Sequence, residues 1–319
     1  MRYALVSSAI AAGAAAHGVL RSVEGANGVS MPGLCVLDGT PRNCVVNACG
    51  AQADTGICRD NEMVSGQYGP LGWTQGNGAC KPESVVNEFF GTGEAPQYQG
   101  GRASTGAEDD LSGLQKLMSQ RRDEHKKYVR QVSGGFWNLP VIGTLGLGGK
   151  RTEYPAEDIV QTMAGQGKES GLPTSNENGE VSVIYRQINQ DGAGPLTAAI
   201  DPSSGGTDYK AFKSAQITKN APGSGLLGLS LATNTDYEVK VKMPEGMVCE
   251  GKIGDVENVC VVRIRNQAPA GPFGGAAAFT QSSASRKRAV AFNLKKRQEQ
   301  ENRTAFRLKK RFEVGSDLN

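Results

Sequence analysis

The sequence predicts a mainly β protein: a disulfide-linked antiparallel β-sandwich, immunoglobulin-like or lytic-monooxygenase-like, with a long insertion that is partly helical or disordered. Three observations predict it. Short runs alternate apolar and polar residues, seven cysteines follow a cleavable-looking leader, and 43 Gly with 14 Pro among 319 residues demand many turns around a modest core.

The chain opens with Met1-Arg2-Tyr3 and a small, apolar run to Ala14-Ala15-Ala16, which fits the small-x-small cleavage rule. Residues 1–16 are therefore expected to be a signal peptide, with His17 as the new N-terminus and an extracellular or cell-surface destination. No internal run of 18 apolar residues occurs, so no membrane span is expected. The net charge of +3 averages unlike parts. Residues 17–281 carry 23 Lys and Arg against 28 Asp and Glu, and residues 282–319 carry 11 against 4. An acidic body argues against a nucleic-acid partner, which needs basic residues clustered on the folded domain.

From His17 to about Phe90 the sequence is rich in cysteine and glycine, which suggests short strands and loops tied by disulfides. Cys249 and Cys260 are expected to pair, lying eleven apart in a turn-rich segment. Cys35, Cys44, Cys49, Cys58 and Cys80 leave one thiol over, and their connectivity does not follow from spacing. Zinc fits poorly, since no Cys-x-x-Cys occurs and the chain has two histidines.

Residues from about 91 to 176 read as a flexible insertion, polar and Gly-rich at both ends. Within it, Leu111, Leu114, Leu117 and Met118 recur at helical spacing over 109–130, acidic at the start and basic at the end. Beyond Asn178-Gly179, alternating strands are predicted at Val181-Ser182-Val183-Ile184-Tyr185, Ala215-Gln216-Ile217, Tyr237-Glu238-Val239-Lys240-Val241 and Val261-Val262-Arg263-Ile264-Arg265. Residues 17–281 thus form one β-rich domain. Residues 282–319 are expected to be a basic, disordered tail in which Ala291-Phe292-Asn293-Leu294-Lys295-Lys296-Arg297 recurs fourteen residues later. Basic clusters ending at Arg288, Arg297 and Arg311 resemble targets of a kexin-type processing protease; a solvated helix end or a polyanion-binding arm are the competing readings. The sequon Asn302-Arg303-Thr304 lies in the same tail.

Chemistry is sparse. An N-terminal His17 offers its amine and ring to copper, as in a histidine brace, but the other histidine, His125, sits among Lys and Arg. The run Tyr185-Arg186-Gln187-Ile188-Asn189-Gln190-Asp191-Gly192 carries strand into turn, and Arg186, Gln187, Asn189 and Asp191 are its candidate binding residues. Ala270-Gly271-Pro272-Phe273-Gly274-Gly275 lacks the Lys-Ser/Thr of a phosphate loop. No Gly-x-Ser-x-Gly elbow occurs, and no paired carboxylates stand out. No catalytic residue is assigned.

Three segments together resemble a known family. His17-Gly18-Val19-Leu20 with Gly25-Ala26-Asn27-Gly28-Val29-Ser30-Met31-Pro32-Gly33-Leu34 and Asp38-Gly39-Thr40-Pro41-Arg42, then Tyr185 to Pro195, then Ala270 to Gly275, look like the fungal Egh-like virulence factors, the MAS/GAS-type appressorium-specific secreted proteins. The resemblance implies an infection-stage protein of the fungal surface with no established catalysis. Its partners would be cell-wall or cuticle polysaccharide or a host surface protein. Where some relatives carry a His, this chain has Arg186, which cannot ligate copper and is expected to pair with a carboxylate such as Asp191. A non-catalytic binding or structural factor is the expectation; a copper-dependent polysaccharide monooxygenase using His17 is the alternative.

Overall fold

A computed structural model describes residues 17–44, 49–100, 153–189, 192–223, 232–268 and 271–316. The chain is mainly β and antiparallel, as the sequence predicts. Gly18–Glu24 (β1) and Ser30–Pro32 (β2) precede Gly56–Ile57 (β3), helix Asp60–Val64 (α1), Trp73–Thr74 (β4), Gly78–Ala79 (β5) and helix Pro82–Phe89 (α2). Two short helices follow, Ile159–Thr162 (α3) and Gly167–Ser170 (α4). Then come Glu180–Gln187 (β6), Thr197–Asp201 (β7), Lys213–Lys219 (β8), Thr235–Lys242 (β9), Gly251–Ile253 (β10), Val256–Arg265 (β11), Phe273–Phe279 (β12) and helix Ser283–Ser316 (α5).

The strands form one hydrogen-bonded path, β2-β1-β6-β9-β8-β7-β11-β12-β3-β4-β5, with β10 paired to β11. The path curls through β8. Ala215 of β8 pairs with Ala198 of β7, whereas Ile217 two residues on pairs with Val241 of β9, so one strand serves both wings. The wings face each other with β1 over β12: Leu34 N donates to Ala276 O at 2.8 Å, and a Cβ on Gly275 would lie 3.0 Å from Leu20. Small residues permit that approach. Every residue of β12 (FGGAAAF) is buried, and a Cβ on Gly274 would fall 1.9 Å from the carbonyl oxygen of Ile264.

In β6, Val181, Val183 and Tyr185 point into the core with half-exposed residues between them. The alternation stops at Arg186 and Gln187, both buried, because the strand end is covered on both sides. Three disulfides tie the fold: the predicted Cys249–Cys260, then Cys35–Cys80 and Cys44–Cys49. Cys58 is the remaining thiol, enclosed between the carbonyls of Gly56 and Leu71.

Two expectations need correction. Residues 91–100 and 153–176, expected within the flexible insertion of 91–176, belong to the body, and Ile159, Val160 and Leu172 are core residues. Their Gly- and Pro-rich context hid a short apolar anchor. The helix expected over 109–130, and His125 with it, lie outside the described residues. The tail from 283 to 316 is helix α5 instead of a disordered strand of chain. Its Ala, Leu, Lys, Arg, Gln and Glu favour helix, and it has no proline.

Candidate functional site

The three segments that carry the resemblance meet at one end of the curled sheet. β1 begins immediately after His17, β6 ends at Gln187 beside it, and the loop into β12 arrives at Phe273. His17 is fully buried, and its ring stacks on Phe273 with centroids 4.6 Å apart. Its carbonyl accepts from the N–H groups of Ile188 (2.9 Å) and Asn189 (3.4 Å). Its backbone nitrogen donates to Asn189 Oδ1 at 2.6 Å, and Asn189 Nδ2 lies 3.4 Å from His17 Nδ1. One carboxamide therefore faces both atoms that a histidine brace would turn toward a metal.

The surrounding loop is built for close approach. Tyr185 Oη donates to Gly192 O at 2.7 Å, and a Cβ on Gly192 would fall 1.9 Å from the His17 carbonyl. Gln187 donates to Asn189 O (2.9 Å) and Ala232 O (2.7 Å). Asn266 closes the third segment: its Oδ1 accepts from Phe273 N (2.9 Å) and Ala268 N (3.2 Å). Among the described residues no three His, Cys, Asp or Glu side chains gather in a metal-holding group.

Arg186 pairs with carboxylates. It forks onto Asp236, its cross-strand partner in β9, through Nε (2.6 Å) and Nη2 (2.8 Å), and its Nη1 lies 3.6 Å from Glu157. The expected partner Asp191 lies outside the described residues. Tyr154 caps the guanidinium at 3.9 Å.

Glu157 is the residue sequence reasoning missed. It reaches Arg21 (3.3 Å), Arg42 (3.1 Å) and Arg186, while Arg42 also holds Asp54. Burial pushes the Glu157 carboxyl up, but Arg42, Arg21 and Arg186 outweigh it and hold it below the usual carboxylate range. Asp38 shifts the opposite way, raised mainly by burial although the N–H groups of Val160 and Gln161 bond to it. Backbone bonds from Gly39 to Glu157 and from Glu157 to Thr40 join these loops. Three positive and three negative side chains thus lock the strand ends beside His17. No local signal marks Glu157, whose partners Arg42 and Arg21 lie 115 and 136 residues away in sequence.

The class is accordingly a disulfide-linked, curled β protein whose motif segments converge on a buried polar joint. The chain belongs to the Egh16-like virulence factors, whose family model matches residues 15–274. It is 42% identical over 294 residues, 92% of this chain and 93% of the relative, to the appressoria-specific virulence factor GAS2 of Pyricularia oryzae. It is also similar to the appressoria-specific virulence factor GAS1 of that fungus, 31% identical over 131 residues, covering 40% of this chain and 51% of that one. No solved structure matches.

Proposed function

We propose that this chain is a secreted virulence factor that acts in appressorium-mediated host penetration as a non-catalytic binding or structural component of the fungal surface. Its partners on this reading are cell-wall or cuticle polysaccharide or a host surface protein. The observation that carries the reading is the use of the motif side chains inside the protein: His17, Arg186, Gln187 and Asn189 are buried and engaged in hydrogen bonds within the body. Residues so engaged fix loops and are not presented to a substrate. Three disulfides suit an oxidising, extracellular setting.

The copper monooxygenase alternative requires Asn189 to release both the nitrogen and Nδ1 of His17. The test is co-sedimentation of the purified protein with chitin, β-glucan and cuticle fractions, alongside pull-down with host surface proteins. Retention on one of these is expected; failure to bind any of them overturns the binding role.

A further inference from the structure

We propose that, of the two basic clusters of α5 nearest the body, Lys295-Lys296-Arg297, and not Arg286-Lys287-Arg288, is the one that an endoprotease specific for paired basic residues cuts first. Such an enzyme holds its substrate extended, so the helix must open locally before cleavage, and the ease of opening decides between otherwise similar clusters.

The two clusters differ in what opening breaks. Around Arg288, Ser285 and Ala289 are 5% and 7% exposed against the body. Arg286 Nη1 donates to Cys249 O (3.0 Å) and Asn258 Oδ1 (3.2 Å), and Arg288 Nη1 donates to Asn178 Oδ1 (2.7 Å). The first carbonyl belongs to a cysteine of the Cys249–Cys260 disulfide, so the anchor is itself fixed. Asn293 Nδ2 still reaches Gly246 O at 2.8 Å. From Leu294 onward through Glu301 each residue is exposed, and Leu294 is 53% so. A polar helix without tertiary packing is marginal in water. Arg297 therefore sits where α5 opens at little cost, and Arg288 where opening undocks it.

Hydrolysis at Arg297 breaks its C–N bond to Gln298; water supplies the hydroxyl to the Arg297 carbonyl carbon and a hydrogen to the Gln298 nitrogen. The body keeps its docked turn, and residues 298–319 are released.

The experiment is a time course of the full-length purified protein with a paired-basic-specific endoprotease, read by intact mass. The product ending at Arg297 should form about tenfold or more faster than that ending at Arg288. The double variant K296A/R297A should suppress the early product. Ala289→Asp, which undocks the start of α5, should raise cleavage after Arg288 while Cys58 stays protected from thiol reagent, showing an intact body. Equal or faster cleavage after Arg288 in the unmodified protein, or an unchanged pattern in K296A/R297A, overturns the proposal.

Discussion

Glu157→Gln is the most informative single perturbation of the joint beside His17. The carboxylate is 2% exposed and touches Arg42 (1%) and Arg186 (2%), so the substitution leaves buried positive charge short of a partner. Losing one partner of a buried ion pair costs about 3–5 kcal/mol. Arg42 keeps Asp54 and Arg186 keeps Asp236, which places the expected loss near the lower end, about 3 kcal/mol. For a domain of this size that is a fall in Tm of about 6–12 °C. Urea unfolding at pH 7 measures it. The pH dependence provides a second check, because the folded-state carboxyl is depressed. Its stabilisation is fully present above the unfolded-state value near 4.5 and is lost as pH falls through the folded one. The gap between the two proteins should hold above that pH and narrow below it. Asp38, raised mainly by burial and to a lesser degree by the Glu157 charge, loses that repulsion in the variant, which offsets a small part of the gap while both carboxyls are ionised. A loss under about 1 kcal/mol, or a gap that widens in acid, would refute the reasoning.

Cys249→Ser should cost about 3 kcal/mol by freeing an 11-residue separation in the unfolded chain, measured by denaturant titration of the oxidised protein. A thiol reagent should find no reactive group in the native protein and one after unfolding, since Cys58 is buried and burial pushes its thiol pKa up. Gly192→Ala should destabilise by about 1–3 kcal/mol because the new methyl meets the His17 carbonyl, and Tm by fluorescence would report it. Copper titration by calorimetry on protein starting at His17 should show no tight one-to-one binding that His17→Ala abolishes; Asn189 already faces both donor atoms.

The fold was legible where one sheet face is buried and the other wet. β6 and β9 carry alternating Val, Ile and Tyr, β11 was legible from its β-branched run although it is buried continuously from Val259 to Ile264, and the Cys249–Cys260 pair follows from proximity within a turn-rich stretch. β12 was not legible, because burial on both faces by Gly and Ala erases the period of two. α2 was missed in a cysteine-rich stretch although Pro82 and Glu83 stand at its first turn. In α5 the charge density suggested disorder, while helix propensity and the seat of Ser285 and Ala289 decided otherwise. His17, Arg186, Gln187 and Asn189 were each visible as candidates, yet their union depends on strand register. Glu157 and Asp236 emerge only once the chain is folded, being contacts between distant segments.

The central claim, a binding or structural factor without catalysis, is tested most directly by incubating the protein starting at His17 with chitin, β-glucan and cuticle, with copper and a reductant present, and analysing released oligosaccharides. The account predicts retention on one of the polymers with no soluble product above the His17→Ala control. Release of oxidised oligosaccharides that His17→Ala abolishes would contradict it.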